Sequence, residues 1–118
     1  MEVVKFKDAS SYEPEKGWYR ASLAGKGSVS VEYFEKPAGH SSPMHKHENE
    51  QITIVIRGQM KVYTEDGQVI LGEMDSVFFD GNEPHRVENV GKEKAVGIDI
   101  FIPGRSFDFW LRHSSKSD

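Results

Sequence analysis

The sequence predicts an all-β fold, and three observations carry that prediction. Short runs rich in Val, Ile, Phe and Tyr recur along the chain, turn residues separate them about every eight to twelve positions, and no long segment has helical periodicity. Strands so short and so regularly spaced fit a β-sandwich, barrel or jelly roll. At 118 residues the chain is long enough for one core and too short for two, which predicts a single domain over 1–118.

Taken in order, Val3–Phe6 reads as a short strand and Asp8–Gly17, with Pro14, as a surface loop. Trp18–Leu23 gives the next strand. Ser28–Glu35 alternates, with Val29, Val31 and Tyr33 on one face and Ser30, Glu32 and Phe34 on the other. Pro37 and Pro43 bracket a loop that delivers the chain to His45. Gln51–Arg57 is dense in β-branched residues and reads as the central strand. Met60–Thr64 and Gln68–Leu71 form a hairpin around Asp66-Gly67. Ser76–Phe79, His85–Asn89 and Ala95–Ile102 complete the set. The apolar segment 106–112 is expected to pack on the domain or on a partner, and 114–118 to fray.

Composition narrows the function. A net charge of -4 without a long Lys/Arg stripe argues against a general nucleic-acid binder. No apolar run reaches membrane-spanning length, and Met1–Lys5 lacks the apolar core of a secretory signal, so the expectation is a cytoplasmic protein with no membrane partner. With no cysteine, a transition metal can be held only by His, Gln and carboxylates.

His45, His47 and Gln51 share odd parity and can point one way if the intervening turn conserves it. A fourth ligand must come from His85 or His113, of which His85 lies in mid-sequence and His113 near a polar end. Glu50 is the rival to Gln51, although its parity turns it away unless a bulge intervenes. His40, in a Ser/Pro loop, reads as a solvated histidine. Asp99 and Phe101 can share a strand face, with Arg105 following a Pro-Gly turn.

This constellation resembles the cupin family. Gly39, His45, His47 and Gly58 fall at the spacings of that family's first motif, with Gln51 where the family usually has Glu. In the second motif His85 and Asn89 match, whereas Met74, Asp80 and Asn82 stand at the positions of Gly, Pro and Gly. Asn82 is the mild departure, because Asn tolerates the left-handed conformation. The resemblance covers about residues 39–102 and implies a double-stranded β-helix, or jelly-roll barrel. It also implies one divalent transition metal (Zn, Ni, Fe, Mn or Cu) on His45, His47, Gln51 and His85.

The Asp-x-Phe-x-x-x-Arg segment beside such a site resembles the small cupins that linearise unsaturated uronates released by pectin and alginate lyases. That resemblance implies Asp99 as acid/base, Phe101 as a pocket wall and Arg105 as the anchor for a carboxylate, with a small anionic sugar as substrate. The alternatives are a metal-dependent dioxygenase and a non-catalytic ligand-binding or regulatory cupin. Apolar residues on both strand faces, with Phe107, Phe109 and Trp110 near the end, further predict a homodimer.

Overall fold

The computed structural model describes residues 1–108; the expectations for Phe109, Trp110, His113 and the end of the chain lie outside the described residues. Among the described residues nine strands form: β1 (Ser11–Glu15), β2 (Trp18–Ser22), β3 (Ser30–Lys36), β4 (Glu50–Arg57), β5 (Met60–Thr64), β6 (Gly67–Leu71), β7 (Ser76–Phe79), β8 (His85–Asn89) and β9 (Ala95–Ile102). They make an antiparallel six-stranded sheet, ordered β1-β2-β3-β9-β4-β7, and a three-stranded sheet, ordered β6-β5-β8. The two sheets are the walls of a jelly roll. No helix among the described residues is long and apolar enough to cross a membrane.

The strand expectations hold from β2 onward and fail before it. Val3 and Val4 are exposed and pair with nothing regular, and Phe6–Asp8 is a single 3-10 turn. The strand lies instead within the expected loop, as β1. Pro14 misled the reading: it sits where the β1–β2 register shifts, between Tyr12 and Glu15, on the edge of the sheet, where a missing N–H costs no ladder bond.

Both faces of the large sheet are rich in bulky side chains, but they differ in kind. One face carries Val31 and Tyr33 on β3, Ile98 and Ile100 on β9, Ile52 and Ile54 on β4, and Phe78 on β7, in register across four strands. These outer residues are only half-buried, and Phe78 is exposed. The opposite face turns inward with Glu32, Phe34 and Lys36, then Asp99 and Phe101, then Gln51, Thr53 and Val55, all buried. The closed end of the barrel is apolar, built on Phe34, Val55, Met60, Val62, Leu71, Phe79 and Ala95. Gly97 allows this packing: a Cβ there would stand 2.3 Å from the Phe34 ring and 2.8 Å from the Ile54 carbonyl.

The motif positions keep their backbone shapes despite the changed residues. Gly39 and Gly58 have φ of 81° and 90°. Asn82, at 61°, takes the left-handed conformation expected of it, and Met74 takes the same conformation at 69°. Met74 is held there by its N–H, which donates to the Val55 carbonyl at 2.6 Å.

Candidate metal centre

His45 and His85 meet because the chain before β4 pairs along the edge of β8, in the wall that the smaller sheet forms. Residues 41–45 run antiparallel to β8, and the His45 and His85 backbones exchange both hydrogen bonds, at 3.0 and 2.9 Å. Such a cross-strand pair sets the two rings together, with centroids 4.4 Å apart. The chain then crosses from the β8 side to β4 on the large sheet, so His45 and Gln51 do not share a strand face. Strand parity therefore does not explain their convergence; the crossover does. His47, within the crossover, has its backbone carbonyl tied to the Asn82 N–H at 2.7 Å.

One nitrogen from each of His45, His47 and His85 lies within 4.8 Å of the others. Each ring is oriented by a backbone carbonyl. The Nδ1–H groups donate to the carbonyls of Pro43 (2.9 Å), Asn49 (3.0 Å) and Glu83 (2.8 Å) respectively. A carbonyl only accepts, so Nδ1 carries the proton and Nε2 keeps its lone pair, the tautomer a metal ligand needs. Burial, with help from the neighbouring histidines, pushes His85 down to about 4; the opposing pull of the Glu83 carbonyl is smaller. Burial also lowers His45. Both rings are neutral at pH 7, without protons to displace.

Two features test whether these residues suit a cation. His85 Nε2 is buried with no hydrogen-bond partner, an arrangement that is costly in a protein without a ligand for that lone pair. At Gln51 the amide NH2 donates to Thr53 Oγ1 at 2.8 Å and to Asp99 Oδ1 at 3.3 Å, which leaves Oε1 against His47 Nε2 at 3.0 Å. Two lone pairs face each other there, and a shared cation turns that contact from repulsive to bonding. Three imidazoles and an amide oxygen thus fit a divalent transition metal. Glu50 is exposed, on the outer face opposite Ile102.

Around this donor set lies a cavity of about 510 Å³ whose walls include Gln51, Asp99, Phe101 and Arg105. Asp99 is fully engaged: Oδ1 accepts from the Thr53 hydroxyl at 2.6 Å and Oδ2 from Arg20 at 2.8 Å. Arg20 also donates to Glu32 Oε1 at 2.8 and 3.0 Å. Arg105 donates from Nε to Glu32 Oε2 at 3.0 Å, and its guanidinium lies 3.8 Å above the Phe101 ring centroid. Opposite charges alternate through Asp99, Arg20, Glu32 and Arg105, so that each of these four ions has a partner.

Sequence reasoning missed Arg20, Glu32, Lys36 and Trp18, which all belong to this cavity or its charge network. The available signal was Glu32-x-Phe34-x-Lys36 on a single strand face. It was obscured because the other face of β3, carrying Val31 and Tyr33, is the more apolar one and yet points outward. His40 is also more than a solvated loop residue. Its Nε2 contacts Glu15 at 2.5 Å and its ring lies 4.6 Å from that of Trp18.

Two walls of antiparallel strands enclosing a histidine cluster define a barrel with a metal-competent centre. The chain belongs to the cupin family, since the profile described as "Cupin domain" matches residues 32–101. Solved structures agree on the fold. An RmlC-like cupin from Shewanella frigidimarina superposes with a TM-score of 0.81 at 19% identity, over 92% of this chain and 96% of its own. KdgF from Halomonas sp. gives a TM-score of 0.81 at 22% identity, over 92% and 98%. A predicted oxalate decarboxylase from Thermotoga maritima gives 0.73 at 21%, over 86% and 99%. No curated protein matches the sequence significantly.

Proposed function

We propose that this cupin is a metal-dependent enzyme that linearises unsaturated uronates. The observation that carries the reading is the neighbourhood of the donor set: the wall that holds Gln51 also holds Asp99, bonded to the same amide, and Arg105 lies over Phe101 in the same cavity. His45, His47, His85 and Gln51 would hold the ion, which supplies Lewis-acid polarisation of a sugar hydroxyl. The neutral Gln51 leaves the centre one charge more positive than the usual Glu would, which favours an anionic oxygen.

The reaction is an isomerisation and needs no redox partner. The anomeric hydroxyl gives up its proton, the C1–O5 bond breaks to leave an aldehyde at C1, and the enolate so released at C5 takes a proton on C4 to give the open-chain keto sugar. Asp99 is the group assigned to receive and return that proton. Thr53, Gln51 and Arg20 hold its carboxylate in one orientation, which lowers the cost of aligning it. Arg105, steadied by Glu32, is assigned the sugar carboxylate. Phe101 forms the apolar floor beneath it.

The test is loss of the unsaturated monouronate's ultraviolet absorbance, followed with metal-loaded, chelator-treated and Asp99→Asn protein. Asn keeps the carbonyl acceptor and removes the proton carrier, so the expected loss is about 100-fold or more with folding retained. Rates equal to the uncatalysed opening with fully loaded protein would overturn the proposal; oxygen uptake with an electron-rich substrate would instead support a dioxygenase. The same reading includes a homodimer through the outer face of β3, β9, β4 and β7. Its in-register Ile and aromatic side chains are what a second copy would cover.

A further inference from the structure

Of the cations lining the cavity, Arg20 and Arg105 are held by Glu32 and Asp99. Lys36 is different. It is 4% exposed and lines the same cavity, and among the described residues no carboxylate lies within ion-pair distance of its ammonium; it contacts the face of Trp18, 4.9 Å from Nζ to the ring centroid. By register it is also separate from the histidines. Glu32 pairs with Asp99 beside Gln51, whereas Lys36 pairs with Ala95, four residues further along β3, or about 13 Å of extended chain.

A buried amine left without a carboxylate is costly unless something neutralises it. The wall charges reinforce this. Among the described residues Arg20, Lys36, Lys46 and Arg105 line the cavity against Asp99 on its wall and Glu32 beside it, so the interior is net cationic before any metal binds. Burial and Arg20 bring the Lys36 pKa down to about 8, so the amine remains charged at neutral pH.

We infer that Lys36 and Trp18 form a second ligand subsite, in which the ammonium binds a carboxylate and the indole face supports the carbon skeleton behind it. The cavity is then two-ended: one polar group of the ligand lies at the histidines and Arg105, and an anionic group lies at Lys36. The favoured ligand class is a short polyhydroxylated acid with acidic or oxidised groups at both ends. This deepens the small-anion reading of the cavity and does not depend on the particular reaction.

Calorimetric titration of the full chain, zinc-loaded and metal-free, tests this with D-galactose, D-galacturonate and the two-ended D-galactarate. The expected wild-type order is galactarate over galacturonate by about tenfold, consistent with one further charge-assisted contact, and galactose last. Lys36→Gln is expected to abolish that preference and Lys36→Arg to retain most of it, both with cooperative melting. Galactarate is also expected to perturb tryptophan emission in wild type and not in Trp18→Phe. The subsite is overturned if Lys36→Gln binds galactarate as wild type does, or if wild type shows no preference for it. Linearisation of uronates with a Lys36-independent galactarate affinity would remove the subsite alone. A Lys36-dependent preference without uronate turnover would sustain the subsite and remove only the proposed reaction.

Discussion

Replacing Lys36 by Met should make the protein more stable, and the size of the effect follows from its surroundings. Burial is the main cause of the amine's low pKa; Arg20 on β2 adds to it, and Asp99 on β9 and Glu15 on β1 act in the opposite direction. The folded value, about 8 against an ordinary 10.5, corresponds at about 1.4 kcal/mol per unit to a cost of about 3 kcal/mol at pH 7. Methionine fills similar volume without the charge. It forfeits the contact with the Trp18 face, worth about 1 kcal/mol, which leaves a net gain of about 2 kcal/mol. For a domain of this size that is about 8 °C in Tm.

The pH dependence gives the sharper test. Between pH 8 and 10.5 the unfolded chain keeps the Lys36 proton while the folded protein loses it, so wild-type stability rises with pH across that window relative to Lys36→Met. Urea unfolding at pH 7 and pH 10 should show the gap between the two proteins narrowing from about 2 kcal/mol to well under about 1 kcal/mol. Tyr33, whose pKa burial and Glu35 push up to about 12, stabilises below pH 10 and loses that contribution as pH rises towards 12. It is present in both proteins and cancels. A Lys36→Met variant no more stable than wild type at pH 7, or a gap that does not change with pH, would refute the reasoning.

Three further outcomes are expected. His47→Ala, at a half-buried position whose loss spares the barrel, should lower zinc affinity on the order of 100-fold and remove most of the chelator-sensitive part of Tm, read by metal analysis and scanning fluorimetry. Met74→Gly should stabilise by about 1 kcal/mol in urea titrations, because glycine adopts the left-handed conformation without Cβ strain and this Met side chain is 71% exposed, with little packing to lose. Gly97→Ala should cost about 3 kcal/mol or prevent folding, since its methyl would meet the Phe34 ring and the Ile54 carbonyl; a melt unchanged from wild type would contradict the packing described.

Much of the fold was legible in the chain because it rests on local rules. Alternation, β-branched runs and turn residues locate β2 through β9, and the two motif spacings identify the barrel. The local rules failed at β1, where Pro14 signalled a loop, since a single sequence does not distinguish an edge strand from an interior one. The ligand set was legible for a different reason: His-x-His, a nearby amide and a distant His at those spacings are rare together, even though the parity argument for their convergence was not the one the fold uses.

By itself, then, the sequence determined strands β2 to β9, the family and the residues His45, His47, Gln51, His85, Asp99 and Arg105 as a set worth joining. Only the tertiary structure decided how they join. Antiparallel pairing of the 41–45 segment with β8 brings His45 against His85, and Gln51 turns its oxygen to His47 because Thr53 and Asp99 claim its nitrogen. The structure alone also drew in Arg20, Glu32 and Lys36. The physical reason is that burial of a charge depends on what surrounds it in space, and β3 points its charged face into the barrel while a more apolar face looks out.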